Sequence, residues 1–503
     1  MQETIGDRAV RRRATRRGFV LAAVMLAMFM GAIEGTIVST AMPSIVADLS
    51  GFSLFSWVFS SYLLIQTVTI PLYGKLADLI GRKPVFAFGV GVFLLGSLLC
   101  GLAESMGWLI AFRFIQGLGA GAIQPIATTI IGDVYTGEER GKIQGVLASV
   151  WGVSSIIGPT AGGLIVQYAD WAWVFWCNLP VGLASIVLMH LYLHEAAEKK
   201  KRSLDLAGTW MLFAGTTALM VLLVFGGVEW PWRSPATFLL AAAAVVLLAA
   251  FARWETRAAE PVMPPFLWTH PFIAVSNAAS LTTGMVLMGI SAFLPTYVQG
   301  VMGLSPTAAG FTLAAMSVGW PLASTFGGRL LHRVGFRRMA VTGGGVLVAG
   351  SAVFLFLAAV PSPWIGAAGS FLVGVGMGLT TTTFVVGIQE SVGWQHRGAA
   401  TASNMFMRSL GTSIGTALLA GILNARLLAR FAREEAGAPD GGLTLDITNR
   451  LLDPIERDAI PRDVLAVVQN GLSDALHAVY IVVTVLAALS LALILVLPKR
   501  KNA

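Results

Sequence analysis

Long apolar runs separated by short polar turns fill most of this chain. Fourteen such runs can be marked, at 19–41, 54–76, 85–102, 108–132, 143–166, 174–193, 206–227, 236–254, 273–294, 308–328, 339–360, 364–390, 399–423 and 475–497. A helix crossing the ~30 Å hydrocarbon core of a bilayer needs ~20 mostly apolar residues, and each run approaches that length. The eighth and ninth are the hardest to delimit, because Pro261, Pro264, Pro265 and Pro271 crowd the link between them. Pro43 and Pro295 read as the ends of the first and ninth spans.

Composition agrees with this pattern. Of 503 residues, 56% are apolar and only 12% charged, about half the ~25% charge of soluble domains. The mean hydropathy of +0.75 excludes soluble domains and predicts an all-α polytopic membrane protein. The excess of 34 Lys and Arg over 26 Asp and Glu is a topology signal, with no nucleic-acid face. With the N-terminus inside, the inner segments hold 25 of the 34 basic residues, so both termini are expected in the cytoplasm. The cluster Arg8, Arg11, Arg12, Arg13, Arg16 and Arg17 precedes a run too long for a cleaved signal peptide, which reads as a retained first helix. The segment 424–474 mixes both charge signs and predicts an extracytoplasmic loop, either solvated or carrying short helices as a lid. Cys100 and Cys177 both lie in apolar runs and give no disulfide framework.

The chain also repeats itself. Gly74–Lys83 matches Gly328–Arg337 at an offset of 254, and Arg140-Gly141 matches Arg397-Gly398 at 257. Pro43 matches Pro295 at 252. Internal repeats of this kind mark transporter folds. They divide the chain into a six-helix half (1–193), a two-helix insertion with its linkers (194–270) and a second six-helix half (271–503).

These matched residues resemble the major facilitator superfamily, and within it the fourteen-span drug:proton antiporters. Gly74, Asp78, Gly81, Arg82 and Lys83 are similar to the signature between spans two and three. Arg113, Gln116, Gly117 and Gly119 are similar to the span-four motif, and Gly152, Gly158, Pro159, Gly162 and Gly163 to the span-five antiporter motif. Glu34-Gly35-Thr36, Asn178-Leu179-Pro180, Pro295–Gln299, and Arg397-Gly398 with Asn404 and Arg408 resemble the fourteen-span branch. The chain departs from it at Glu34, where the branch usually has Asp, and at His332, which takes the acid's place in the second loop copy.

The residues carry their own chemistry. Glu34 is the one acid placed well inside a span, where a carboxylate is expensive and functional by default. It is expected to carry protons or meet substrate, the alternative being a structural pair with Arg113 or Arg408. Arg113 is expected to tune Glu34, and Arg408 to pair with polar groups of the second half. Asp78 at the tight Gly74–Gly81 turn is expected to cap a helix N-terminus of the other half when the cytoplasmic side closes. A plain topogenic loop is the alternative. The span-five glycines are expected to pack closely between the halves. Cavity candidates are Phe29, Met30, Tyr62, Gln66, Gln124, Asn277, Met288, Trp320 and Asn404.

Nothing in the sequence suggests catalysis. There is no phosphate-binding loop, and the six histidines show no metal-ligand spacing. The resemblance implies a monomeric, cofactor-free exporter in the bacterial plasma membrane, driven by the proton gradient. Its small-molecule cargo is expected to be amphipathic and cationic, with lipid around the bundle and no nucleic-acid partner. The alternatives are export of a lipid, a self-made antibiotic or a metabolite on the same fold, and a non-transporting membrane sensor.

Overall fold

Hydrocarbon offers no partners to backbone N–H and C=O groups, so a spanning segment has to satisfy them internally. The computed structural model describes residues 15–50, 54–195, 205–226, 230–435 and 462–498, and these are helical almost throughout. The long helices are α1 (Arg17–Leu49), α2 (Phe55–Ile80), α3 (Arg82–Cys100), α4 (Met106–Val134), α5 (Gly137–Tyr168), α6 (Trp173–Tyr192) and α7 (Leu206–Phe225). They continue as α8 (Pro235–Glu255), α9 (Pro271–Val301), α10 (Pro306–Val334), α11 (Phe336–Ala358), α12 (Pro363–Ser391), α13 (Arg397–Glu435) and α14 (Arg462–Leu495). Thirteen are long and apolar enough to cross a membrane. The exception is α10, whose 29 residues include Ser317, Ser324, Thr325, Arg329 and His332. It is flanked by α5 and α12, with Ser324 buried and Ser317 and Thr325 half-buried, while Arg329 and His332 are exposed near its end.

Two expectations need correcting, both at prolines. Pro43 does not end α1, which runs on to Leu49, and Pro295 lies inside α9, whose last turn is a π segment over Tyr297–Val301. A proline deletes one backbone bond and crowds the preceding turn, and a membrane helix tolerates that loss when its neighbours hold it. At the two ends of the segment 424–474, α13 extends to Glu435 and α14 begins at Arg462. Leu427 and Phe431 on α13, and Val468 and Leu472 on α14, are buried in one cluster. Their spacing of four residues makes an apolar stripe opposite the charges. The middle of that expected loop, 436–461, and the basic cluster at Arg8–Arg13 lie outside the described residues.

The buried clusters follow the chain. Two use residues between Val20 and Leu193, and two use residues between Leu267 and Leu497. These two helix groups meet along α2–α13 and α5–α10. Helices α7 and α8 pack on each other and against α2 and α13, with Leu212, Phe251, Val262 and Met263 around Ile70 and Met405. Large apolar side chains such as Phe88, Ile156, Leu239 and Val245 point outward, each more than 60% exposed, as hydrocarbon solvent allows. The repeat is visible in the backbone. Gly81 (φ +99°) turns α2 into α3, and Gly335 (φ +91°) turns α10 into α11, a left-handed conformation that side chains with a Cβ resist.

Candidate functional site

Three places gather the candidate residues. The first is the end of the bundle that carries the α2–α3 turn. Helix α13 starts there, and its first N–H groups lack intrahelical partners. Asp78 of α2 supplies them across the interface: Oδ1 accepts from Gly398 N (2.9 Å) and Oδ2 from Ala399 N (2.8 Å). Backbones approach closely enough that a Cβ on Gly74 would lie 2.3 Å from Ala402 Cβ and 2.8 Å from Gly398 O.

Arg82, 1% exposed, donates to Asp78 Oδ1 (2.9 Å), Asp133 Oδ2 (2.8 Å) and Trp394 O (2.6 Å). Its guanidinium lies 3.9 Å from the centre of the Trp394 ring. Asp133 also takes Arg397 Nη1 at 2.5 Å, so two acids and two arginines bind the two groups of helices at one end. Gln389 adds a bond to Thr128 O at 3.1 Å. Sequence reasoning missed Asp133, Trp394 and Gln389, which no repeat or spacing singles out. Lys83 does not join this network. Its Nζ donates to His190 O (2.7 Å) and Leu193 O (3.0 Å) at the C-terminal end of α6, where a cation suits the helix dipole.

The second place is inside the first group of helices. Glu34 of α1, fully buried, accepts from Arg113 Nη1 of α4 at 2.5 Å and from Asn178 Nδ2 of α6 at 2.8 Å. Arg113 also reaches Gln116 Oε1 (2.7 Å) and Val58 O (3.1 Å), and its guanidinium lies 4.3 Å from the centre of the Tyr62 ring. Gln116 donates to Ser97 Oγ at 2.8 Å. Local structure places each group. Arg113 and Gln116 are one turn apart on α4, and the turn at Cys177 starts the second segment of α6 at Asn178. The ion pair read as the alternative is therefore present, and Asn178 is a partner that the sequence did not announce.

The third place is a cavity of about 650 Å³ between the two helix groups. Gln66, Gln124, Met288, Trp320 and Arg408 line it, as expected of the first four as cavity candidates. Phe29, Met30, Tyr62, Asn277 and Asn404 do not, and neither do Glu34 and Arg113. On α1 the cavity is met by Met28; two residues further along, the helix has turned by about 200°, which puts Met30 in the core. Tyr62 faces Arg113, and Asn404 donates to Ser280 Oγ (2.9 Å) and Asn277 Oδ1 (3.2 Å) within the second group. Arg408 was expected to pair with polar groups, yet it has no hydrogen bond or ion pair among the described residues.

The span-five glycines divide as well. Gly152 faces Ser317 of α10, but Gly158 packs on Thr36 and Gly162 on Ile37, both of α1 in the same group. Gly163 has open space around it, and Pro159 is exposed. The close approaches of α5 to α10 are made by Gly141 against Gly328 and by Gly145 against Thr325. Gly141, Gly145 and Gly152 share one face by their spacing of four and seven; Gly158 is about 240° further round.

Known proteins fit this architecture. Residues 24–416 match the model of the Major Facilitator Superfamily. The chain is 34% identical over 414 residues to the multidrug transporter protein MdtP of Bacillus subtilis (strain 168), covering 82% of this chain and 76% of that protein. It is 32% identical over 495 residues to multidrug resistance protein 3 of the same organism, covering 96% and 95%. In fold it resembles the crystal structure of the human organic anion transporter MFSD10 (TETRAN), with a TM-score of 0.62 and 13% identity over 94% of this chain and 99% of that one. At that identity the likeness speaks of the fold alone. From the paired helix groups, the repeated glycine turns and this match across most of its length, the chain belongs to the major facilitator superfamily, a multi-pass membrane transporter and not an enzyme.

Proposed function

We propose that the protein is a proton-coupled secondary exporter of amphipathic compounds in a bacterial plasma membrane, with both termini in the cytoplasm. It works by alternating access and needs no cofactor beyond the proton gradient. The observation that carries the reading is Glu34, a carboxylate buried in a spanning helix and held by Arg113 and Asn178. Such a group costs free energy in hydrocarbon unless paired, and a proton arriving on it dissolves the pair. The α1, α4 and α6 segments that meet there would then repack, which gives a proton a mechanical effect.

The network of Asp78, Arg82, Asp133 and Arg397 is the gate at the cytoplasmic end. It closes that end while the cavity serves the other side, and it must break for cargo to enter from the cytoplasm. Glu34, the acid that would meet a cationic cargo, is not in the cavity wall, so the proposal keeps the amphipathic character without a required positive charge.

Proteoliposomes with an imposed pH gradient test the reading. An amphipathic drug panel should release protons through wild type and not through Glu34→Gln. Because Glu34→Gln leaves Arg113 buried without its counter-ion, the double variant Glu34→Gln/Arg113→Gln is made beside it. The double variant should fold and remain uncoupled. Restored cargo-triggered proton release in the double variant would show a purely structural pair and overturn the proposal.

A further inference from the structure

The central cavity has a one-sided chemistry. Its wall is mostly apolar, and its polar members besides Arg408 are amides, hydroxyls and the Trp151 and Trp320 indoles. No Asp or Glu contributes to it, and Arg408 is the one formal charge in the wall among the described residues. On α13 the cavity is met by Met405, Arg408, Ser409, Thr412, Ser413 and Thr416. Their spacings of three and four residues make one continuous face, so Arg408 is presented to the cavity by the same periodicity as its neighbours.

Two donors on this wall have nothing to give to. The Arg408 guanidinium has no acceptor among the described residues, although a cation inside a membrane normally finds a carboxylate or a carbonyl. From the facing helix α5, Gln144 also lines the cavity, and its Nε2 is buried with no hydrogen-bond partner. A buried donor left unpaired costs roughly 1–3 kcal/mol, and more for a charged group. Arg113 makes the contrast plain: the same residue type in the same bundle is satisfied by Glu34, Gln116 and Val58.

We propose that Arg408 is the recognition point for an anionic group on the cargo, and that the cavity takes amphipathic organic acids, a drug-sized apolar body with a carboxylate. The guanidinium fork matches a carboxylate with two parallel bonds, Gln144 donates from the opposite helix, and the apolar wall takes the body. A cavity of this volume is the usual size for drug-like ligands. The inference rests on reading the chain as an exporter whose cargo occupies this cavity, but binding can be measured without any proton coupling.

The test uses purified full-length protein in nanodiscs and three probes with one apolar body: pyrenebutyrate, its neutral primary amide, and pyrenebutylamine. Binding is followed by quenching of tryptophan emission, since Trp151 and Trp320 line the cavity. Wild type should bind the acid at least about tenfold more tightly than the amide, and the amine most weakly. Arg408→Gln should bind acid and amide alike, with amide affinity kept as the sign of an intact cavity. Arg408→Lys should retain part of the preference, and Gln144→Leu should lower acid affinity by a few-fold. Equal binding of acid and amide by wild type, or tighter binding of the amine, overturns the proposal. A melting shift with chloride alone as large as with the acid overturns it too, by assigning Arg408 to a halide. Loss of proton antiport with acid preference intact would instead remove only the function proposed above.

Discussion

The two ends of the internal repeat meet the opposite helix group in the same way and fasten it differently. Gly74 of α2 lies against Gly398 of α13, and Gly328 of α10 lies against Gly141 of α5. These are equivalent pairs, since 74 and 328 differ by 254, and 141 and 398 by 257. At α13 the helix start is capped from across the interface by Asp78. At α5 it is closed within its own group, where the Glu139 carboxylate accepts from Thr136 N (2.9 Å) and Thr136 Oγ1 (3.0 Å). His332, in the position of Asp78, turns to Glu390 of its own group at 3.6 Å. Steric fit is thus duplicated, while the paired bonds from helix-start N–H groups to a carboxylate across the interface are seen, among the described residues, at Asp78. At the other copy Glu390 and His332 lie against Gly137 at the start of α5, a looser contact beside the latch of the first.

The steric half of the comparison predicts the largest effect. A Cβ on Gly328 would lie 2.1 Å from the Gly141 backbone and one on Gly74 2.3 Å from Ala402 Cβ. Gly328→Val and Gly74→Val should each prevent packing at this end and reduce transport by roughly tenfold or more, since backbone cannot yield as a flexible side chain does. Export assays with labelling of single cysteines at the two ends measure this, and a strong effect of only one variant would break the symmetry.

The electrostatic half comes next. Asp78→Asn weakens charge-assisted bonds of about 1.5–3 kcal/mol, which shifts the closed–open equilibrium roughly tenfold to a hundredfold. His332→Asn should shift it far less. Equal shifts in cysteine labelling would refute the latch. His332→Asp sharpens the point, because it places a second carboxylate beside Glu390. It should weaken the α5–α10 contact, and Glu390→Gln in the same chain should relieve it, read by the same labelling.

The smallest effect concerns the insertion. Lys75, one turn before Asp78 on α2, donates to Glu260 Oε2 at 3.0 Å, and Glu255 accepts from Val262 N (3.0 Å) and Met263 N (2.9 Å). Through these bonds the α8–α9 link is tied to α2. Lys75→Gln, which keeps a hydrogen-bonding head group, should speed amide exchange in 256–265 while export is nearly kept. Unchanged exchange there would detach the insertion from the latch.

Much of this architecture is legible from apolar runs, because a bilayer imposes one length and one secondary structure on each. The polar helix α10 is recognisable through the repeat, since Gly328 and Gly335 copy Gly74 and Gly81. Legibility fails where three dimensions decide. Pro43 looks like a helix end until neighbouring helices support the turn it weakens. Met28 and Met30 are alike on paper, and only the rotation of α1 against α5 separates wall from core. Glu34 and Arg408 both read as charges inside spans. Arg113, Asn178 and Gln116 converge on Glu34 from other helices, while among the described residues no bonding partner converges on Arg408, and that difference has no signature along the chain.

The position of Glu34 has a kinetic consequence. Neither Glu34 nor Arg113 belongs to the cavity wall, so on the coupling proposed above protons and cargo would not compete for the same atoms. In a carrier whose two ligands share one carboxylate, acid raises the apparent Michaelis constant for cargo and saturating cargo overcomes it. Here acidification should change the maximal turnover while half-saturation stays put, the pattern of noncompetitive inhibition. Exchange between the two ligands is then enforced by the order in which helices move, not by displacement of one ligand by the other.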